Sequence, residues 1–328
     1  MFRKHTRRAA KAAFAISFGV ALLIGLTACG GGGGSDTTTA ATTTAAPTSK
    51  YTALIDNKHI FGFQNVAPVV KKTLITGPNG ALLVSTVNDV SSKLTLPAMQ
   101  AMNKAYVVNK ATPQQIAHGF LAANGLLTVK KKATSSAPTI VLGTKNFGEE
   151  YILGQLYAQA LKAAGFKVSE KGSFGSSELA DTAITSGKMN FYPEYTGVIA
   201  LDLAKVKNAP KTAAATYLAA NQFENTRGLT LLKPTPFSDT DTFTVLTTTA
   251  QKDGLKTMSD LAKLKSFSYA GYPECQTRIT CILGMKQIYH LNNIKFVPIG
   301  SISVYTLLDE GKATGGDGFS TDPQQLQK

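Results

Sequence analysis

The sequence Thr139-Ile-Val-Leu-Gly143 begins the part of the chain that decides the fold. It is a short apolar run, which predicts a buried strand. The chain then predicts a helix over residues 151–164, a strand over 166–171, a helix over 176–186 and a strand over 189–192. Strands that alternate with helices in this way form parallel sheets with right-handed crossovers. We therefore predict an α/β fold.

A second, smaller α/β unit follows, with strands predicted over residues 242–247 and 267–270. Ligands of such folds bind beyond the carboxyl ends of the parallel strands. In the first unit, this edge carries the turn at Lys145 and the segment Phe191-Tyr-Pro-Glu-Tyr-Thr-Gly197. We interpret that segment as a loop shaped by its proline and glycine. Its two tyrosines either line a cleft or form a buried pair.

The composition is that of an exported globular protein. The chain has 328 residues, 43% of them hydrophobic, which is enough for two domains of ordinary size. Its formal net charge is +14, and part of that charge lies in residues 1–28. The remaining lysines are scattered and do not alternate with aromatic residues, so we predict no binding to nucleic acid.

The N-terminus predicts export and lipid anchoring. Basic residues precede a short apolar stretch within residues 1–28, as in a signal peptide. The ending Leu26-Thr27-Ala28-Cys29 resembles the bacterial lipobox, which implies cleavage before Cys29 and a lipid on its sulfur. The alternative is an ordinary secretory signal with an incidental cysteine. Residues 29–49, rich in Gly, Thr and Ala, then form a flexible tether.

The other two cysteines lie in one loop. In an exported chain, Cys275 and Cys281 are most simply a disulfide, worth about 2 kcal/mol in the chain-entropy model. We predict no metal site, because no histidine has a ligand spacing to them. Arg278 lies inside this ring and is therefore pre-organised to bind a carboxylate with both arms of its guanidinium. The alternative is that Arg278 forms a surface ion pair.

Five motifs together carry a family resemblance. They are Gly143-Thr-Lys-Asn-Phe147, Phe191-Tyr-Pro-Glu-Tyr-Thr-Gly197, Pro236-Phe-Ser-Asp-Thr-Asp241, Gly271-Tyr-Pro-Glu-Cys-Gln-Thr-Arg278 and Tyr305-Thr-Leu-Leu-Asp-Glu-Gly311. The chain resembles the substrate-binding proteins of glycine betaine/choline/carnitine-type ABC importers over nearly all of residues 50–328. The resemblance implies a two-lobed type II periplasmic-binding-protein-like fold with a ligand cleft between the lobes, no cofactor and no enzymatic activity.

The order of the segments departs from that family, because the part that resembles the family's C-terminal segment comes first. The sequence thus resembles a circular permutation with new ends near the hinge. The alternative is a rearranged or truncated gene. One covalent crossing between the lobes is expected near residues 233–239. The predicted divisions are a continuous lobe I over 50–237 (the family's C-terminal segment at 51–129, a linker at 130–138 and its N-terminal segment at 139–237) and lobe II over 238–328.

The resemblance also assigns the ligand site. A quaternary ammonium offers no hydrogen-bond donor, so aromatic faces and nearby carboxylates hold it. In the family pattern the tyrosines form this cage, the aspartates face it, and Lys145 and Arg278 take a ligand carboxylate. Val198 stands where the family often has threonine, and the cage is more acidic than usual, which leaves choline, carnitine, a larger betaine or a non-betaine ligand open. The candidate ligand-binding residues are Gln64, Asn65, Lys145, Asn146, Tyr192, Tyr195, Asp239, Asp241, Arg278 and Tyr305.

The expected function is that of a lipid-anchored, monomeric solute-binding protein on the outer face of the cytoplasmic membrane. It would deliver a quaternary-ammonium osmoprotectant to an ABC permease by hinge closure. A sensory or interaction lipoprotein with the same fold remains an alternative. An envelope hydrolase would need an activated nucleophile, and the sequence has no G-x-S-x-G elbow.

Overall fold

The computed structural model describes residues 49–300 and 302–326. The predicted signal peptide, Cys29 and nearly all of the tether lie outside the described residues. The described strands are β1 (Tyr51–Leu54), β2 (Val66–Lys71), β3 (Ile140–Thr144), β4 (Val168–Ser173), β5 (Phe191–Tyr195), β6 (Leu229–Leu231), β7 (Asp241–Leu246), β8 (Phe267–Gly271), β9 (Ile294–Pro298) and β10 (Gly315–Phe319).

The helices are mostly short. Those of α type in the described residues are α1 (Lys72–Ile75), α2 (Gly80–Lys93), α3 (Leu96–Val107), α4 (Pro113–Ala123), α5 (Gly148–Ala163), α6 (Ser177–Thr185), α7 (Ala213–Asn225), α8 (Thr247–Asp253), α9 (Ile282–Gln287) and α10 (Val304–Asp309). A π-helix spans Val198–Leu203, and 3-10 helices span Met258–Lys263, Pro273–Thr277 and Pro323–Leu326. Within the described ranges, none of the helices has both the length and the apolar character needed to cross a membrane.

The first sheet has the strand order β4-β3-β5-β2-β6. Strand β3 pairs in parallel with β4 and β5, as the alternating pattern predicts, and β2 and β6 extend the sheet in antiparallel fashion. Side chains alternate between the two faces of a strand. In β2, Val66 and Val70 therefore join a core with helices α2 to α5, whereas Ala67 and Val69 join a core with α6, α7 and the π-helix. Helices thus cover both faces of this sheet.

The segment Phe191–Tyr195 is the central strand β5, so its prediction as a loop was wrong. Proline is uncommon in a central strand because it has no N–H to donate to the ladder. Here Pro193 lies directly opposite Pro68 of β2. The two residues that cannot donate face each other, and the pairing of the strands continues on either side of them.

The second sheet has the order β1-β7-β10-β8-β9. Strands β10, β8 and β9 are parallel, in agreement with the predicted second α/β unit, whereas β7 runs antiparallel to both β1 and β10. One core of this sheet contains the buried rings of Phe243, Phe267 and Tyr269. We call the part of the chain around the first sheet the first lobe and the part around the second sheet the second lobe.

Strand β1 belongs to the second lobe, so the predicted start of lobe I at residue 50 was wrong. Leu54 lies opposite Phe243 in the antiparallel pair and is buried with it. Phe61 packs in the same core. The apolar residues of this segment predict a buried strand, but which sheet the strand joins depends on a partner almost two hundred positions away, for which the sequence carries no local signal.

The chain crosses between the lobes at two places, around residues 62–64 and 237–239, where only one crossing was expected. The crossings lie side by side. The Gln64 N–H donates to Ser238 Oγ at 2.9 Å, and the Asp239 N–H donates to the Gln64 carbonyl at 2.9 Å. The Asn65 side-chain amide donates to the carbonyls of Thr235 and Phe237, both at 3.0 Å. We call this pair of hydrogen-bonded crossings the hinge region.

The predicted permutation has one structural support. The helix Pro323–Leu326 packs against β1 and against α3 of the first lobe. The segments next to the two predicted new ends are therefore neighbours, which is the condition under which permutation is tolerated. The correspondence of each segment to the family order stays a prediction.

We predict that Leu54→Ala lowers the free energy of unfolding by about 2–5 kcal/mol, because it leaves a cavity in the core of the second lobe. Ile55→Ala is the matched control, since the Ile55 side chain is 63% exposed and its truncation should cost far less. Urea denaturation of both variants measures the difference. Equal effects in the two variants would contradict the assignment of β1 to the second sheet.

Candidate functional site

A cleft with an empty volume of about 690 Å³ lies between the two lobes. It is beyond the carboxyl ends of β3, β5 and β8, where the fold was expected to bind a ligand. The predicted site residues that line it are Gln64, Lys145, Asn146, Tyr195, Asp239, Asp241 and Arg278. Side chains that the sequence reasoning did not select also line it: Phe147, Tyr272, Glu274, Thr280, Asp317 and Phe319.

Three predicted residues do not line the cleft. Tyr192 is fully buried in the core under α6 and α7, because the alternation of side chains along β5 turns it away from Tyr195. The Asn65 side-chain amide donates to the carbonyls of Thr235 and Phe237, between the two crossings. Tyr305 donates its hydroxyl proton to Asp322 at 2.8 Å and packs edge-on against Tyr51 at a centroid distance of 4.7 Å. These placements correct the predicted cage, of which only Tyr195 remains.

Lys145 lines the cleft and is only 2% exposed. Its ammonium is paired with the Glu194 carboxylate and lies 3.5 Å from Glu150 Oε1. Burial raises the pKa of Glu150 to about 8, although the Lys145 charge opposes this shift. The same ammonium lies 4.1 Å from the centroid of the Tyr195 ring. The lysine that was predicted to bind a ligand carboxylate is thus already paired with carboxylates of the protein.

Glu149 is the centre of a buried hydrogen-bond network that joins the lobes. It accepts from the Tyr195 hydroxyl and from the Asn103 amide, both at 2.8 Å. The Thr321 hydroxyl lies 2.7 Å from Glu149 Oε2 and 2.6 Å from Asp239 Oδ1. A hydroxyl has one proton, so two such contacts require a protonated carboxyl on one side. Burial raises the pKa of Glu149 and of Asp239, which favours a shared proton here.

Two further carboxyl groups come from the second sheet. Asp317 of β10 accepts from the Tyr269 hydroxyl at 3.0 Å, and burial raises its pKa to about 7. Asp241 of β7 lies opposite Phe319 of β10, so the two aspartates are close on neighbouring strands. Burial, and then the nearby Asp317, raise the pKa of Asp241 well above its ordinary value. This wall of the cleft is therefore acidic.

Aromatic rings from both lobes form a layered wall. The Phe147 ring stacks on Tyr195 with a centroid distance of 6.2 Å and an angle of 19° between the planes. The same ring lies 6.4 Å from the Phe319 ring at an angle of 3°. Tyr272 also lines the cleft. The rings of Phe147 and Tyr272 follow β3 and β8 by a few residues, so the rule about strand ends would have found them. Phe319 lies within a glycine-rich strand and gave no such signal.

Arg278 lines the cleft from the second lobe. Its Nε and one of its terminal nitrogens donate to the two oxygens of Glu178, each at 3.1 Å. Burial opposes ionisation of Glu178, but the bonds from Arg278 outweigh it and lower the pKa of Glu178 to about 2. Glu178 belongs to α6, so this fork joins the lobes, as does the bond from the Thr280 hydroxyl to Asp202 at 2.8 Å.

The predicted disulfide is present, and Cys275 and Cys281 enclose the loop that carries Arg278. The Cα atoms of the two cysteines are 5.3 Å apart. Their sulfurs and an Asp317 oxygen lie within 4.8 Å of one another. Since the sulfurs are bonded to each other, they are not thiolates that would bind a metal ion.

Gln64 links the hinge to the floor of the cleft. Its Oε1 accepts from the Val198 N–H at 3.1 Å, and its Nε2 donates to the Phe61 carbonyl at 3.0 Å. A Cβ at position 197 would lie 2.5 Å from Gln64 Oε1, so glycine is required there for close approach rather than for its dihedral angles.

A family model described as the substrate binding domain of ABC-type glycine betaine transport system matches residues 35–123 and 138–327. Among curated proteins, the chain is similar to a glycine-betaine-binding protein of Pseudomonas aeruginosa PAO1, with 30% identity over 216 residues, 62% of this chain and 67% of that protein. It is also 30% identical over 130 residues to the glycine betaine-binding protein YehZ of Escherichia coli K12. That match covers 39% of this chain and 43% of that protein, which is less than two thirds of the latter's length.

Two solved structures are also similar. Apo YehZ from Escherichia coli has 23% sequence identity and a TM-score of 0.39, and the match covers 56% of this chain and 70% of that one. A structure named as a glycine betaine/carnitine/choline ABC transporter has 22% identity and a TM-score of 0.37, with 57% and 71% covered.

The buried carboxyl groups predict that the ligand-free protein becomes less stable as the pH rises. Burial raises the pKa of Asp317 to about 7 in the folded protein, from 3.8. The folded protein therefore keeps a proton that the unfolded chain releases, so this contribution is complete below pH 3.8 and is lost as the pH rises through 7. We expect a melting temperature at least about 2 °C higher at pH 5.5 than at pH 8.

Differential scanning fluorimetry measures this difference. Asp317→Asn should reduce it, because one titrating carboxyl is removed. Asp309→Asn is the matched control. The hydrogen bond from Lys50 lowers the pKa of Asp309, so this carboxyl stays ionised in that range and the difference should remain. A melting temperature that rises with pH over the same range would contradict the protonation of the cleft.

Proposed function

Because the chain belongs to the family of substrate-binding domains of ABC-type glycine betaine transport systems, we propose that it captures a quaternary-ammonium osmoprotectant and delivers it to an ABC permease. Glycine betaine, choline and carnitine are the ligands considered. The family is one of transport proteins rather than enzymes. Substrate-binding proteins of ABC importers act outside the cytoplasm, and the proposed role places this chain there.

The observation that carries the proposal is the position of the Lys145 ammonium. It lies on the face of the Tyr195 ring, 4.1 Å from its centroid, beside the carboxylates of Glu194 and Glu150. Aromatic faces and carboxylates are the groups that hold a quaternary ammonium, which cannot donate hydrogen bonds. In this cleft an aromatic face and carboxyl groups thus already surround a cation of the protein, the Lys145 ammonium. Phe147, Tyr272 and the acidic wall of the second lobe offer the same groups to a ligand.

We propose that the protein works as a monomer that closes about its two adjacent crossings. The ligand would contact Tyr195 from the first lobe and the acidic wall from the second, and so would stabilise the closed form. The network from Glu149 through Thr321 to Asp239 joins the lobes, so closure would make it and opening would break it. The closed form would then be the form that the permease recognises.

We also propose that a lipid on Cys29 holds the protein at the outer face of the membrane. The support is the motif Leu26-Thr27-Ala28-Cys29 together with the glycine-rich stretch that follows it. A tether of about twenty residues in a flexible coil reaches roughly 25 Å. That distance would allow the globular part to meet a permease in the same membrane.

We predict that Tyr195→Ala weakens binding of a quaternary ammonium by about thirtyfold or more, because the loss of one cation–π face costs about 2 kcal/mol. Tyr195→Phe is the matched control, since it keeps the ring and loses only the bond to Glu149. Isothermal titration with choline, glycine betaine and carnitine measures both variants, and thermal melting confirms that they are folded. A folded wild-type protein that binds none of the three would overturn the proposed function.

We predict that Cys29→Ser moves the protein from the membrane fraction to the soluble extracytoplasmic fraction, because the sulfur is the proposed site of the lipid. Fractionation of bacterial cells that export either form measures the change. A Ser35→Ala variant, altered nearby in the tether, should stay with the membrane. Retention of the Cys29→Ser variant in the membrane fraction would argue for an uncleaved leader as the anchor.

A further inference from the structure

We propose that Glu178 is a specificity-determining residue that occupies Arg278 as an internal carboxylate. By doing so, it makes the cleft prefer a quaternary ammonium without a carboxylate over a zwitterion. This inference rests on the proposed function and deepens it, because it names the charge class of the ligand. It differs from the sequence-based expectation, in which Arg278 takes the carboxylate of the ligand.

The first support is the geometry of the fork. Arg278 offers two parallel N–H bonds, and both are made to Glu178 at 3.1 Å. This is the arrangement by which a guanidinium binds a carboxylate most strongly. The Arg278 side chain is 19% exposed and lines the ligand cleft, whereas its partner Glu178 is 44% exposed and reaches it from the first lobe. A ligand carboxylate would meet a guanidinium that already gives two of its five N–H donors, those of one fork, to Glu178.

The second support is that Glu178 is held in place from its own lobe. The Ser176 hydroxyl donates to Glu178 Oε2 at 2.6 Å. Ser176 is the residue just before α6. Its hydroxyl donates to this carboxylate and makes no capping hydrogen bond to the helix backbone. With its pKa lowered to about 2, Glu178 remains ionised at any physiological pH. The internal carboxylate is thus oriented and permanently charged.

The third support is the state of the other basic residue that lines the cleft. The Lys145 ammonium is paired with Glu194 and lies 3.5 Å from Glu150. Among the residues that line the cleft, Lys145 and Arg278 are the two basic ones, and both face carboxylates of the protein. A ligand carboxylate would therefore find no unpaired cation among these lining residues, and it would lie near Glu274, whose carboxylate repels it. A ligand that carries only the ammonium meets no such penalty.

The test compares two ligands that share a trimethylammonium group and differ in the other end. Choline ends in a hydroxyl, and glycine betaine ends in a carboxylate. We expect the wild-type protein to bind choline at least about tenfold more tightly than glycine betaine, since one charge-assisted contact is denied to the betaine. In Glu178→Gln, the fork is released, and the affinity for glycine betaine should rise about tenfold while that for choline changes little.

Glu274→Gln is the matched control. Glu274 lines the same wall and adds to the field around Arg278, but the fork is made to Glu178. This variant tests whether the loss of a carboxylate elsewhere in the cleft also raises the affinity for glycine betaine. We expect the ratio of the two affinities to change by less than about threefold in this variant, because the effect acts only through space. Isothermal titration of all three proteins, with thermal melting as the measure of folding, gives the ratios.

Each outcome of these titrations either supports or overturns the proposed role of Glu178. A shift of the affinity ratio in Glu178→Gln alone supports the proposal. An unchanged ratio, an equal shift in both variants, or a wild-type protein that prefers glycine betaine overturns it, while the binding itself leaves the proposed function standing. If the wild-type protein binds neither ligand nor carnitine, the proposed function fails first and this inference fails with it.

Discussion

The burial of charge at the cleft is the constraint on which the other features of this protein depend. Lys145 is almost fully buried, and its ammonium is stable there only because Glu194 and Glu150 surround it. Glu150 lies in the first turn of α5 and Glu194 in the central strand β5, so this one cation joins the helix to the sheet. It also fixes the Tyr195 ring against which it lies, and with that ring a wall of the cleft.

The hinge region and the cleft share residues, so the contacts between the crossings lie beside the charged groups of the cleft. Gln64 and Asp239 belong to the two adjacent crossings and also line the cleft. Asp239 reaches Thr321, and Thr321 reaches Glu149 in the first lobe. Under the proposed function, a cation that entered the cleft would change the balance of protons in this chain of contacts. The contacts that join the lobes would then also respond to the ligand.

Local patterns in the sequence predicted much of the fold. Alternating strands and helices gave the parallel parts of both sheets, the rule about strand ends placed Lys145 and Tyr195 at one edge, and the disulfide-closed loop drew attention to Arg278. The pattern did not show that both cations are paired, because Glu178 and Glu194 reach them only through tertiary packing. Whether a strand residue reaches the cleft also depends on which face of the sheet its side chain points to. Tyr192 was selected with Tyr195 for its chemistry, but the alternation of β5 places it in the core.

The place of β1 in the second sheet has a consequence for the order of folding. The hydroxyls of Thr52 and Thr247 lie 2.8 Å apart, although the residues are 195 positions apart in the chain. Contacts over such separations close slowly, because a long loop must be ordered before they form. A nascent chain would complete the first sheet with β6 before the partner of β1 has been synthesised. Strand β1 would then stay unpaired until β7 has been synthesised, and it would be among the last strands to join a sheet.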